Sequence, residues 1–288
     1  MTLLVPVRTV SSIAFAAIAC LAPVHARADD ASPWIKDTYS AVRLIAGSRS
    51  GNVLLGGIGF QLQPGWKTYW RTPGDSGVPP RIDFSKSDNI DSVKILWPVP
   101  MKFPDGAGGI SFGYHNQLLL PLRIIAKSPD KPVTLRASIS YAVCEKICIP
   151  VEANAELAFV SVASTEDSAI AAALETVPKP AKIGDATPIA IRGVRRDGKL
   201  VLVDVALDEK NATHKDKEVQ LFAEGPTPDW ALPVPKLIQR EADGVLRFAF
   251  ELDGLPPGAT ADGAILKLTV AGPGGAYEVN AAVPPKTD

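Results

Sequence analysis

The chain has 288 residues, 30 basic and 31 acidic side chains, a formal charge of −1 at pH 7 and three cysteines. This near balance supplies no basic stripe for a nucleic-acid backbone, so nucleic acid is not an expected partner. Beyond the first residues no run of 18 or more uninterrupted apolar positions occurs, so no membrane-spanning helix is expected.

Residues 1–28 have the form of a secretory signal. Arg8 gives a positive start, Val10 to Val24 is mostly apolar, and Ala26-Arg27-Ala28 offers a small-x-small cleavage site before Asp29. Cys20 follows Ala17-Ile18-Ala19 within that run, where a lipidation signal would have Leu three positions before the cysteine. Cleavage after Ala28 removes Arg8 and Arg27, leaving 28 basic against 31 acidic groups, a net charge of −3. It also removes Cys20, so Cys144 and Cys148 become the only cysteines of an exported chain, where disulfides persist unless something reduces them.

About 260 mature residues are more than one small β-domain needs, and the chain divides. Residues 29–164 hold alternating runs between Gly/Pro turns: Val53 to Leu62, Val93 to Trp97, Leu118 to Ile125, then Val133 to Phe159. That spacing predicts a β-sandwich. Ser164-Thr165-Glu166-Asp167 has the form of a capping box, Ala169 to Leu174 is the helix body, and Pro178 and Pro180 end it, so residues 165–182 read as a helical linker. Residues 183–288 read as a second all-β sandwich. Its strands are Leu200 to Val205, Glu218 to Ala223, Val245 to Leu252 and Ala264 to Val270, punctuated by four Asp-Gly pairs. His214, in a polar loop beside Lys215 and Lys217, reads as solvated surface.

The run from Val133 to Phe159 is the most informative. Val133, Leu135, Ala137, Ile139, Tyr141 and Val143 are apolar at odd positions, and Ile149, Val151, Ala153, Ala155, Leu157 and Phe159 repeat this after YAVCEKICIP. Folding the two halves together around Glu145, Lys146 and Ile147 sets Tyr141 opposite Val151, Ile139 opposite Ala153, and Arg136 opposite Glu156 as a cross-strand ion pair. A slip of one residue would bury the charges.

That register puts Cys144 opposite Cys148, both pointing away from the core. Paired residues on antiparallel strands have Cα atoms about 4.5–5.5 Å apart, inside the window of roughly 4.4–6.8 Å that a disulfide needs. In one continuous strand they would be about 13 Å apart at ~3.3 Å per residue. A bond closing so short a loop contributes only about 2 kcal/mol, which makes it a weak staple and better suited to being made and broken. A structural disulfide in an adaptor protein is the alternative.

Two further stretches stand out. GWKTYWRTPGDSG, from Gly65 to Gly77, carries aromatics at 66, 69 and 70 that do not share one strand face, so some must leave the core side. Phe103 to Gln117 sets Phe112, Tyr114 and His115 among four glycines, the composition of a movable lid or of an ordinary flexible connection.

GWKTYWRTPGDSG, YHNQLLLPL (Tyr114 to Leu122) and YAVCEKICIP together resemble the N-terminal periplasmic domain of the DsbD thiol:disulfide interchange family, and more closely its ScsB-type relatives, over residues 35 to 160. The resemblance implies immunoglobulin-like sandwiches and a periplasmic thiol-disulfide oxidoreductase without a cofactor or metal. It implies a redox pair of Cys144 and Cys148, with Cys148 forming mixed disulfides. Tyr69 matches an aromatic beside the pair, and Phe112 or its neighbour Tyr114 would form a cap over it. Periplasmic thioredoxin-like or disulfide-containing proteins are the implied partners. This chain departs from the family in its Cys-x3-Cys spacing, where DsbD has five intervening residues, and in carrying neither the membrane domain nor the thioredoxin-like domain of DsbD. A separate membrane electron donor is therefore expected.

A competing reading is a Cu(I) module in which Cys144 and Cys148, with His115 and Met101, supply soft ligands. Cys-x3-Cys-x-Pro with a remote histidine is a copper-chaperone pattern, but one that belongs to an α/β fold, and the all-β pattern here argues against it.

Overall fold

The computed structural model describes residues 29–160, 162–208, 219–241 and 244–286. The expected leader, its cleavage site, Cys20 and His214 lie outside these residues. Strands make up more than half of the described residues, which hold one helix, of eight residues, in keeping with the all-β pattern of the sequence.

The first half is an immunoglobulin-like sandwich. One sheet has the order β1-β2-β3-β9-β6, formed by β1 (Ile35–Lys36), β2 (Ser40–Ser50), β3 (Val53–Leu62), β6 (Ile90–Ile95) and β9 (Gln117–Ala126). The facing sheet has the order β11-β10-β4-β8-β7, formed by β4 (Lys67–Gly74), β7 (Met101–Pro104), β8 (Ile110–His115), β10 (Val133–Cys144) and β11 (Cys148–Phe159), with β5 (Arg81–Asp83) also pairing with β10. Apolar residues alternate inward along each strand because the side-chain period of a strand is two. Leu44, Leu54, Ile58, Leu122 and Ile124 thus meet Leu135, Ile139 and Val143 in one buried cluster.

The hairpin of β10 and β11 has the expected register over twelve pairs, from Val133 opposite Phe159 to Cys144 opposite Cys148. Arg136 donates to Glu156 at 2.9 Å and also to Asp88 at 2.8 Å, on the solvent face. The strand expected over Val93 to Trp97 begins earlier, at Ile90. It is an edge strand paired only with β9, and its half-buried residues leave a weak apolar pattern.

Helix α1 (Asp167–Leu174) follows. The Ser164 amide donates to Asp167 Oδ2 at 3.0 Å, and Ser164 Oγ accepts from the Glu166 amide, but the N-cap is Glu166 and has no side-chain cap bond, so the expected capping box forms a turn just ahead of the helix and does not cap it. Asp167 Oδ1 also accepts the Ser48 amide at 2.7 Å, tying the helix to β2.

The second half stacks two four-stranded sheets. One has the order β12-β19-β18-β15, from β12 (Lys179–Ala181), β15 (Gln220–Glu224), β18 (Ile265–Gly272) and β19 (Gly275–Ala282). The other has the order β13-β14-β17-β16, from β13 (Ile189–Asp197), β14 (Leu200–Leu207), β16 (Lys236–Arg240) and β17 (Leu246–Glu251). β12 falls within the stretch expected to be linker, yet it pairs in parallel with β19. The halves touch through side chains: Phe222 of β15 is fully buried and belongs to the core cluster of the first sandwich.

Candidate functional site

At the mouth of the β10–β11 turn, Cys144 and Cys148 are bonded to each other, with Cα atoms 4.2 Å apart. Their even positions point them away from the sandwich core, as the alternation requires. The two sulfur-bearing residues are not alike, however. Cys144 is 2% exposed, whereas Cys148 lies on the exposed face of the edge strand. The sequence reading placed both in solvent. The difference arises because β10 has a second neighbour, β4, which pairs Lys67 with Cys144 and Thr68 with Val143.

Strand parity then determines what covers the sulfurs. Tyr69 lies two residues after Lys67, so it shares the face of Cys144. Its hydroxyl donates to Cys144 Sγ at 3.0 Å and lies 3.3 Å from Cys148 Sγ. Tyr69, Ala142 and Cys144 form a small buried cluster of their own, separate from the main core. Burial raises the pKa of the Tyr69 hydroxyl, which therefore stays a protonated donor throughout the range in which thiols titrate.

The same parity corrects the expected cap. Gly113 pairs with Tyr69, so its neighbours Phe112 and Tyr114 point to the opposite face, into the core. Phe112 is 3% exposed and packs edge-on against Trp70 and Phe222, with ring centroids 6.2 Å and 4.8 Å away. Tyr114 donates to the Pro98 carbonyl at 2.7 Å, and burial pushes its pKa well up. Neither belongs to the cysteine face. Of the three aromatics between 66 and 70, Trp66 stacks on Tyr39 and Trp70 sits in the core, so Tyr69 is the one that leaves it.

The glycine-rich stretch is a hairpin of β7 and β8 closed by residues 105–109. Asp105 Oδ1 accepts the amides of Ala107 and Gly109, which lowers the Asp105 pKa and orders the turn. Gly113 is required there because a Cβ would come within 2.0 Å of the Thr68 carbonyl oxygen. His115, paired with Lys67, packs against Phe103, and Met101 is exposed on β7. Among the described residues no three His, Cys, Asp or Glu side chains are grouped to hold a metal.

The cover over Tyr69 comes instead from the residues just after β4. Gly77 has φ +126° and sits so close that a Cβ would meet the Tyr69 ring at 2.5 Å. Val78, Pro79 and Arg81 continue from it as one wall of a groove of about 510 Å³ whose floor includes Ala142, Cys148, Pro150 and Glu152. Cys148 thus lines a largely apolar cleft together with Val78, which is 53% exposed. Sequence reasoning reached Gly77 but not this wall; Val78-Pro79-Pro80, an apolar segment immediately after a turn, was the available signal.

The arrangement matches known proteins. A family model for the N-terminal part of thiol:disulfide interchange protein DsbD matches residues 38–159. The crystal structure of the N-terminal periplasmic domain of ScsB from Proteus mirabilis superposes with a TM-score of 0.71 at 21% identity, covering 89% of this chain and 99% of that one. At that coverage the shared fold takes in both sandwiches. A yeast GGA1 GAE domain structure (8% identity, 43% of this chain and 94% of that one) reaches a TM-score of only 0.27 and has no bearing on this chain. No curated protein sequence matches the chain. Residues 38–159, which hold the bonded cysteine pair, thus match a DsbD N-terminal-type domain in sequence, and the chain around them has the fold of the ScsB domain.

Proposed function

We propose that the chain is an exported thiol-disulfide oxidoreductase that relays reducing equivalents to periplasmic partners through Cys144 and Cys148. The observation that carries this reading is the asymmetry of the pair. Cys148 lies open in a groove, and Cys144 is covered by Tyr69. In the reduced protein the Cys148 thiolate attacks one sulfur of a partner disulfide; that S–S bond breaks, a mixed disulfide forms, and a partner thiolate leaves. The Cys144 thiolate then attacks Cys148 Sγ and expels the second partner thiolate. Two electrons pass to the partner, and the pair closes to the disulfide observed here.

The proposed division assigns residues 29–164 to the redox sandwich, 165–182 to a linker whose last residues, Lys179–Ala181, join the second sandwich as β12, and 183–288 to that second sandwich, after a leader of residues 1–28. The partners are thioredoxin-like or other disulfide-containing periplasmic proteins, and a membrane electron donor restores the dithiol. Phe112 and Tyr114 have no part in shielding on this reading; Tyr69 and the segment from Gly77 to Pro79 do. The test is a trap in the exporting cell. Cys144→Ser should accumulate a mixed disulfide through Cys148 on a non-reducing gel, and Cys148→Ser should give none. Trapping by Cys148→Ser alone would reverse the roles, and no trapping by either would favour the adaptor reading with a structural disulfide.

A further inference from the structure

Strand β4 leaves its ladder at the point where it matters. Its register with β10 covers only Lys67 and Thr68, and its register with β8 breaks after Tyr69 and resumes at Gly74. The residue that touches both sulfurs is therefore the last one held by regular pairing before a gap. An interrupted strand next to a reactive group needs other contacts to define its position, because unpaired backbone is free to shift.

Those contacts come from the second sandwich. Trp70, 1% exposed, packs on Phe222 with centroids 5.4 Å apart. Arg71 Nε and Nη2 donate to the two carboxylate oxygens of Glu224 at 2.8 Å and 2.7 Å, and Nη2 also donates to Glu278 at 2.8 Å. Thr72 Oγ1 donates to Glu224 at 2.8 Å. Three consecutive residues after Tyr69 are thus bound to β15 and β19. A planar guanidinium in a bidentate pair fixes orientation as well as distance. Burial alone would lower the Arg71 pKa, but the two carboxylates outweigh it and leave it raised, so the charge is retained in its partly buried site. Much of the free energy of such a pair goes into offsetting desolvation, which makes geometry its more secure product.

We propose that the second sandwich positions the redox site: Glu224 and Glu278 hold Arg71, and through β4 this sets the Tyr69 hydroxyl on the sulfurs of Cys144 and Cys148. This inference rests on the redox reading above, and it gives the second sandwich a function that its sequence does not display. In the reduced protein a hydroxyl donor aimed at a sulfur favours the thiolate. Arg71 and Glu224 touch neither cysteine, so they act as positioning residues.

The experiment follows alkylation of the reduced full chain by iodoacetamide as a function of pH, reading the midpoint at Cys148 by mass spectrometry. Tyr69→Phe should move the midpoint upward, lowering the thiolate fraction at pH 7 about threefold. Glu224→Gln should move it in the same direction, and the double variant should move it no further than Tyr69→Phe alone. Arg71 keeps Glu278 in Glu224→Gln. Should even that variant fail to fold, Thr72→Val, which removes only the hydroxyl bond to Glu224, makes the same comparison. An unmoved or lowered midpoint in a folded variant, or an equal upward shift in the Tyr69→Phe background, would overturn the proposal. Alkylation needs no partner protein. A chain that shows this coupling yet traps no partner disulfide would therefore overturn the relay and leave the positioning intact.

Discussion

Strand β10 has two neighbours at its cysteine end, and they are held in opposite ways. β11 runs beside it for twelve paired residues, so Cys148 is placed by a ladder contained within 27 residues of sequence, from Val133 to Phe159. β4 pairs with it at two positions, and the residues that follow are fixed by Phe222, Glu224 and Glu278, roughly 150 to 200 positions further along. Local register thus joins the sulfurs, while distant tertiary contacts place the hydroxyl that lies on them. The covalent part of the site is robust, and the part that covers and orients it depends on the second sandwich.

The largest expected effect tests that dependence. Phe222→Ala removes a fully buried ring that packs on both Trp70 and Phe112, and it should cost about 3–5 kcal/mol in denaturant unfolding. It should also speed labelling of the reduced Cys144, because the cover on that sulfur loosens. A loss of under about 1 kcal/mol would mean that the two sandwiches do not share a core at Phe222. A smaller effect is expected on the other side of β10. Cys144→Ser opens a loop of only three intervening residues, so its thermal melt should reflect a loss of about 2 kcal/mol, within a typical stability of about 5–15 kcal/mol. Unfolding of that variant at room temperature would make the disulfide a staple and weaken the case for a bond that opens in use.

The same division explains how much of the molecule could be read from its sequence. The hairpin was legible residue by residue because an alternation of period two, carried through both strands, admits one register that buries no charge. Strand content, the β-sandwich pattern and the helix after Ser164 followed from equally local signals. Phe112 was misplaced because its face depends on which residue of β4 stands opposite Gly113, and that is set by a close approach of strands to the Thr68 carbonyl, invisible in composition. The burial of Cys144 was missed for the same reason: the alternation of β10 says which way the sulfur points but not what lies over it. Arg71 and Glu224 had no sequence signal at all, since each looks like an ordinary surface charge until the two sandwiches meet.

The most direct test of the account measures the inequality of the two cysteines. The full chain is reduced and treated with limiting iodoacetamide at neutral pH, and the labelled peptides of Cys144 and Cys148 are quantified over time by mass spectrometry. Cys148, open in its groove, should react at least about tenfold faster than Cys144 beneath Tyr69, because thiol reactivity follows exposure as well as thiolate character. Equal rates, or faster reaction at Cys144, would contradict the claim that Cys148 meets the partner and Cys144 resolves.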